Sequence, residues 1–205
     1  MDEDKIQKFL NNKISILRRE VKKQTSPSRV KKNPALHTLE KCELLDDSQN
    51  IFIGVNNGRI LKFLNKVAKE PFVGFDNDLK QKKKQMVKFD EEQELFIGNY
   101  AHWLSSQFEK DKRKIGMLYF NTHDYSVCKN VLDLCCPYLG NGSYIFFTKL
   151  VNVEKYDELN LNALCEWCLM KNVDFEWMPI NATEVLEYDF KDRGFDQIAG
   201  VRLTF

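Results

Sequence analysis

The composition of the 205-residue chain is that of one globular domain with a short appendage. Apolar residues make up 43% of it and charged residues 30%, and this balance excludes a wholly disordered chain. The net charge of +1 provides no global attraction to nucleic acid or to an anionic membrane. No apolar run approaches the roughly 20 residues that a bilayer crossing needs, so we expect no membrane partner.

The start of the sequence and its cysteines predict a cytoplasmic protein. The acidic segment Met1–Asp4 leads into a charged helix instead of the apolar stretch of a secretory signal. We therefore expect the six cysteines to be reduced thiols, most of them in the interior. Cys165 and Cys168 have the spacing of half a metal site. On a predicted helix without a second pair, this spacing is more typical of core cysteines.

The first predicted element is an amphipathic helix, because apolar residues recur every three or four positions from Ile6 to Val21. Lysines and arginines decorate this helix, and a basic linker follows it. We therefore assign residues 1–49 to a basic helical extension and residues 50–205 to the main domain.

Two roles remain open for this extension. Its apolar stripe packs on its own domain or on a second copy, or its basic face docks an acidic protein partner. Nucleic acid is a less favoured partner, because basic runs such as Lys80–Lys84 contain no interleaved aromatic residues for base stacking.

After about residue 50, short apolar runs alternate with helical patterns. In chain order, strands are predicted at Ile51–Val55, Phe72–Phe75, Ile115–Phe120, Gly142–Phe147, Val173–Met178 and Gln197–Phe205, with a brief apolar run at Met86–Phe89. Helices are predicted at Arg59–Lys69, in a segment ending near Phe108, at Tyr125–Leu134 and at Leu159–Leu169. This alternation predicts an α/β fold with a Rossmann-like, doubly wound and mostly parallel sheet. The last two strands have no helix between them, which predicts an antiparallel C-terminal edge strand.

A glycine-containing turn follows the first of these strands and opens a helix, which is the context of a ligand-binding turn. Gly54 permits close approach of another backbone, and Gly58 permits a tight start to the helix. Asp76 ends the next strand about twenty residues later, where Rossmann-like folds commonly bind ribose hydroxyls. The alternatives are a purely structural turn and a helix-capping aspartate. Together, the two features indicate a nucleotide-type site at the carboxyl ends of adjacent strands.

Two further polar segments follow later strands, where loops commonly assemble sites. One contains Asn121 and His123, and the other contains Thr148 and Lys149. With three histidines in the chain and no ligand-like spacing, we expect no zinc site.

Taken in order, these segments resemble the macrocin O-methyltransferase-like group of class I S-adenosylmethionine-dependent methyltransferases. Phe52–Arg59 is similar to the family's Glu-x-Gly-Val-x-x-Gly-Arg motif, and Gly74–Asn77 is similar to its Gly-Phe-Asp-Ser stretch. Weaker matches follow at residues 96–100, 121–126 and 147–150, so the resemblance spans about residues 50–205. It implies S-adenosylmethionine as cofactor, bound by Gly54, Asn56, Gly58, Asp76, Asn99 and Asn121.

The chain departs from this family where the family binds a metal. Carboxylates after the fourth and fifth strands of the family hold a divalent cation that positions and acidifies the acceptor hydroxyl. The corresponding residues here are Asn121, His123, Thr148 and Lys149. A hard cation prefers charged oxygen ligands, and a lysine ammonium repels it, so we expect no metal. Phe52 also replaces the glutamate that helps to order the family's cofactor pocket.

Two functions are compatible with these departures. The favoured one is a methyltransferase-fold protein that is degenerate at its metal and catalytic site and acts as a binding or assembly module. The alternative is an active, metal-independent O-methyltransferase for a small hydroxylated, sugar-like acceptor. In that case His123 is the general base and Lys149 stabilises the developing oxyanion.

Overall fold

One seven-stranded sheet organises the part of the chain that the computed structural model describes, namely residues 3–23, 42–43, 45–56, 58–77, 94–122, 124–147, 158–178 and 199–205. The strands are β1 (Ser48–Ile53), β2 (Phe72–Asp76), β3 (Leu95–Ile97), β4 (Lys114–Phe120), β5 (Tyr144–Phe147), β6 (Asp174–Trp177) and β7 (Ala199–Thr204). The helices are α1 (Glu3–Lys23), α2 (Arg59–Val67), α3 (Tyr100–Lys110), α4 (Tyr125–Cys135) and α5 (Glu158–Lys171), and a 3-10 turn at Cys136–Tyr138 follows α4.

The strands lie in the order β3-β2-β1-β4-β5-β7-β6. Strands β1 to β5 pair in parallel, whereas β7 runs antiparallel to both β5 and β6. The predicted Rossmann-like, mostly parallel sheet with an antiparallel C-terminal strand is therefore confirmed. The antiparallel strand β7 lies one place in from the edge, and β6 is outside it. From β1 the chain first winds towards β3 and then returns to β4, so the direction of winding reverses between β1 and β4.

The central strands are buried on both faces, as parallel strands covered by helices are. On one face, Ile51 and Ile53 pack in a cluster with residues of α1, α3, α4 and α5. On the other face, Phe52 packs with Leu61 and Leu64 of α2. The six residues of β1 are all buried, and six of the seven residues of β4 are buried too. The apolar run Ile115–Phe120 made β4 predictable, whereas the polar first half of β1, Ser48–Asn50, was not predicted as strand.

Helix α1 packs against α5 and β6 through the apolar stripe that the sequence predicts. Leu10 is 2% exposed and belongs to the main core. Lys13 is also buried, and its Nζ donates to the carbonyl of Phe175 and pairs with the carboxylate of Asp174, both at 2.5 Å. Trp177 Nε1 donates to the carbonyl of Lys13 at 2.8 Å. Phe9, Leu10 and Ile14 of the stripe thus pack on the protein's own core. Docking of a partner by the basic residues and the division at residue 49 stay predictions.

The other sequence-based expectations about the fold have different outcomes. The strand β3 was not predicted, because three residues are too few to show an alternating pattern. The apolar run at Met86–Phe89 lies outside the described residues. All six cysteines are free thiols, and four of them are buried. None of the helices in the described ranges combines the length and apolarity that a bilayer crossing demands.

Replacing the buried leucine of α1 tests whether this helix is an integral part of the fold. We expect Leu10→Ala to lower the free energy of unfolding by about 2–3 kcal/mol, because it leaves a cavity in the core. The exposed neighbour Lys8 provides the control, and Lys8→Ala should change stability by less than about 0.5 kcal/mol. Urea denaturation followed by circular dichroism measures both. Equal midpoints for the two variants would contradict the packing of α1.

Candidate functional site

The turn after β1 brings the backbones of two strands into contact. Gly54 has a φ of 84°, and its N–H donates to the carbonyl of Phe75 in β2 at 2.8 Å. A Cβ atom at this position would lie 2.7 Å from the carbonyl oxygen of Asn121, which follows β4. Only glycine fits such a contact in this backbone conformation. Gly58 also has a positive φ and precedes α2 without a side-chain capping bond.

Two asparagine side chains fasten the ends of β1 and β4 to each other. Asn121 Nδ2 donates to the carbonyl of Gly54 at 2.7 Å. Asn56 Nδ2 lies 3.0 Å from the same carbonyl and 3.2 Å from that of Asn121. The backbone N–H of Asn121 donates to the carbonyl of Ile53 at 2.7 Å. We call the carboxyl ends of the strands around β1 and β4, where the direction of winding reverses, the carboxyl edge. Amide hydrogen bonds connect the backbone along this edge.

Asp76 joins this network from the end of β2. Its Oδ2 accepts a hydrogen bond from the backbone N–H of Asn56 at 2.7 Å, and the residue is 8% exposed. Its carbonyl accepts from the N–H of Gly98, which follows β3. Burial, and then the nearby charge of Asp76, raise the pKa of the Tyr100 hydroxyl. Asp76 thus contacts the glycine turn, and its carboxylate lies near the ends of β1, β2 and β3.

Asn99 lies next to this group but has a structural partner. It precedes α3, and its Oδ1 accepts from the N–H of Ala101 at 2.9 Å, which makes it the N-cap of that helix. The structure thus brings together five of the predicted cofactor-binding residues: Gly54, Asn56, Gly58, Asp76 and Asn121. Contact between the cofactor and these five residues stays a prediction, and so does contact between the cofactor and Asn99.

A residue that the sequence analysis missed holds the loop after β4. Asn160 of α5 is 1% exposed, and its Nδ2 donates to the carbonyl of Thr122 at 2.6 Å. Its Oδ1 lies 3.0 Å from Cys128 Sγ. The signal in the sequence is one polar residue between Leu159 and Leu161, on a helix face that is otherwise apolar. His123, the predicted base, and Lys149, the predicted oxyanion partner, lie outside the described residues.

The absence of a metal stays a prediction. Asn121 carries no charge, and its Nδ2 donates to the carbonyl of Gly54. Phe52 is completely buried, and its ring stacks on that of Tyr119 with centroids 4.9 Å apart. Within the ranges that the structure describes, no three His, Cys, Asp or Glu side chains are grouped as metal ligands would be.

The cysteine pair of α5 lies in the core, where the sequence analysis expected it. Cys165 and Cys168 are buried in the main core. Burial raises the pKa of the Cys165 thiol to about 12 and raises that of Cys168 as well.

Similar solved structures agree on the fold. The chain is similar to the TDP-rhamnose 3'-O-methyltransferase CalS11 of calicheamicin biosynthesis, with 15% identity, a TM-score of 0.53, and coverage of 82% of this chain and 77% of that one. It is also similar to the O-methyltransferase NovP, with 10% identity, a TM-score of 0.53, and coverage of 82% and 79%. An O-methyltransferase from Bacillus cereus in complex with SAH gives 11% identity, a TM-score of 0.50, and coverage of 95% and 90%.

The sequence itself matches no protein-family model and no curated protein. The strand order and these structural similarities nevertheless define the fold. The chain has the class I fold of S-adenosylmethionine-dependent methyltransferases.

The contact between Gly54 and Asn121 can be tested by adding one methyl group. We expect Gly54→Ala to destabilise the protein by about 2 kcal/mol or more, because alanine resists a positive φ and its Cβ meets a backbone oxygen. Gly140 is the matched control, since a Cβ there has no atom within 4 Å. Gly140→Ala should stay within about 0.5 kcal/mol of the parent protein. Urea denaturation compares the two, and equal effects would argue against the close contact.

Proposed function

We propose that the chain binds S-adenosylmethionine at the carboxyl edge formed by Gly54, Asn56, Gly58, Asp76 and Asn121. The observation that carries the proposal is the position of the Asp76 carboxylate, 2.7 Å from the N–H of Asn56 in the glycine turn. A nucleoside needs an acceptor for its ribose hydroxyls beside a backbone that it can approach closely, and this edge supplies both. The SAH complex of the Bacillus cereus O-methyltransferase is a structural neighbour that supports this reading.

Within this fold we assign the chain to the macrocin O-methyltransferase-like group, as a member that has lost its metal and catalytic site. The proposed loss of the metal and catalytic site is supported by departures from the family's pattern. Asn121 and Phe52 are such departures among the described residues, and His123, Thr148 and Lys149 are further ones in the sequence. A protein of this kind acts as a binding or assembly module in the cytoplasm. The lysines Lys5 and Lys8 of α1 are exposed and are suited to contact an acidic protein partner or a second copy.

A second candidate function is metal-independent O-methyl transfer to a sugar-like hydroxyl. It is favoured by Asn160, which fixes the carbonyl of Thr122 and so holds the loop directly before His123. His123 would accept the proton of the acceptor hydroxyl, and Lys149 would stabilise the developing negative charge on its oxygen. The bound cofactor would supply the electrophilic methyl group.

Calorimetric titration of S-adenosylmethionine and SAH tests the first proposal. We expect a micromolar Kd that magnesium does not change. Asp76→Asn should raise this Kd about tenfold or more, because it removes a charged acceptor but keeps an oxygen for the N–H of Asn56. Asp133→Asn is the control, because Asp133 pairs with Lys171 at the surface of α4 and α5 and should leave the Kd unchanged. Absence of binding to the folded parent protein would overturn the proposal.

Methyl-transfer assays with labelled cofactor and a panel of hydroxylated sugars separate the module from the enzyme. A module should bind the cofactor and transfer nothing above the rate of the His123→Ala variant. An enzyme should show turnover that this variant loses while its cofactor Kd stays the same. Turnover that requires magnesium would contradict both readings.

A further inference from the structure

A buried polar contact connects helix α5 to the loop between β4 and α4. Asn160 lies near the start of α5 and is 1% exposed, whereas its neighbour Leu161 belongs to the apolar core. The Nδ2 of Asn160 donates at 2.6 Å to the carbonyl of Thr122, which directly follows Asn121 in the chain. A buried amide lowers stability unless it is hydrogen-bonded, so its partners explain why a polar residue is accommodated at this position.

The thiol of Cys128 determines how this amide is oriented. Cys128 lies on α4 and is completely buried, and its Sγ is 3.0 Å from Asn160 Oδ1. The thiol can donate to this oxygen, while the amide nitrogen donates to the carbonyl of Thr122. With the amide turned round, its oxygen would face the carbonyl oxygen of Thr122 and repel it. The two hydrogen bonds thus form a relay, the Cys128–Asn160 relay, which ends on the backbone of the loop.

The loop that this relay holds forms one side of the carboxyl edge. Asn121 Nδ2 donates to the carbonyl of Gly54, and the carbonyl of Asn121 lies 3.2 Å from Asn56 Nδ2. Because Asn121 and Thr122 are consecutive, a fixed carbonyl at Thr122 also restricts the backbone at Asn121. Helix α5 is therefore connected to the glycine turn through hydrogen bonds alone.

From this chain of contacts we propose that Asn160 and Cys128 are positioning residues for the carboxyl edge. Both side chains are buried, so they act on a ligand only through the backbone. Asn160 holds Thr122 and thereby keeps Asn121 against Gly54, in the geometry that a ligand of this edge needs. The effect on a ligand rests on the proposed binding of S-adenosylmethionine, whereas the ordering of the loop does not.

Amide hydrogen exchange measures the ordering of the loop without a ligand. The N–H of Asn121 donates to the carbonyl of Ile53 at 2.7 Å, so its exchange reports local opening. We expect Asn160→Ala to speed this exchange about tenfold relative to exchange at Leu118, which lies in the middle of β4. Ala163→Gly is the control. It weakens α5 by about 1 kcal/mol but removes no side-chain hydrogen bond, so the ratio of the two rates should not change.

Two substitutions of Cys128 test the relay even if Asn160→Ala does not fold. Serine retains a donor for Asn160 Oδ1, whereas alanine has none. We expect Cys128→Ser to keep the ratio of the exchange rates at Asn121 and Leu118, and Cys128→Ala to raise it. The proposal is overturned by equal ratios in these two variants, or by an Asn160→Ala ratio equal to that of Ala163→Gly.

Calorimetric titration of S-adenosylmethionine connects the relay to binding. We expect Asn160→Ala to raise the Kd about fivefold or more, and Ala163→Gly to leave it unchanged. If the parent protein binds and Asn160→Ala has the same Kd, the positioning role is refuted while the proposed function stands. If the parent protein does not bind, the proposed function is refuted, and the exchange rates alone decide whether the relay orders the loop.

Discussion

The close contact between Gly54 and the carbonyl of Asn121 is the constraint on which the carboxyl edge of this protein depends. At this point β1 and β4 end side by side, and the chain has to leave them in different directions. Because residue 54 has no side chain, the backbone after β4 can pass within 2.7 Å of where a Cβ would be. That approach lets the Asn121 amide reach the Gly54 carbonyl and lets Asn56 turn back towards Asp76. The position of the only described carboxylate of this network is thus set by the backbone and not by side-chain packing.

The sequence predicts the parts of this arrangement that depend on local pattern. The second half of β1 and most of β4 are apolar runs, and the glycine turn and Asp76 follow strands at a recognisable spacing. Partners that are distant in sequence leave no such pattern. Asn160 bonds to a backbone carbonyl 38 residues away, and Gln49 and Gln107 meet across 58 residues. A short strand such as β3 is equally hard to predict, because its existence depends on pairing with β2.

The two edges of the sheet have different chemistry. At the carboxyl edge, asparagine amides donate to backbone carbonyls, and one aspartate faces a glycine turn. At the opposite edge, the amino ends of the strands, the Gln49 amide donates to the carbonyls of Asp111 and Arg113, and Arg113 pairs with Asp111. The resemblance to a methyltransferase family bears on the first edge alone. Behind that edge, Phe52 belongs to the core and stacks on Tyr119.

The position of β7 has a consequence for the order in which the protein can fold during synthesis. In the described sheet, β6 pairs only with β7, although β7 follows it in the chain. When β6 emerges from the ribosome, it therefore has no strand partner and leaves its backbone groups unpaired. Helix α1 is made much earlier but packs on α5 and β6, so its apolar stripe also has to wait for late segments. Contacts between segments so distant in sequence slow folding and leave apolar surface and an unpaired strand edge exposed. The nascent chain is therefore a candidate for chaperone binding until β7 pairs with β5 and β6.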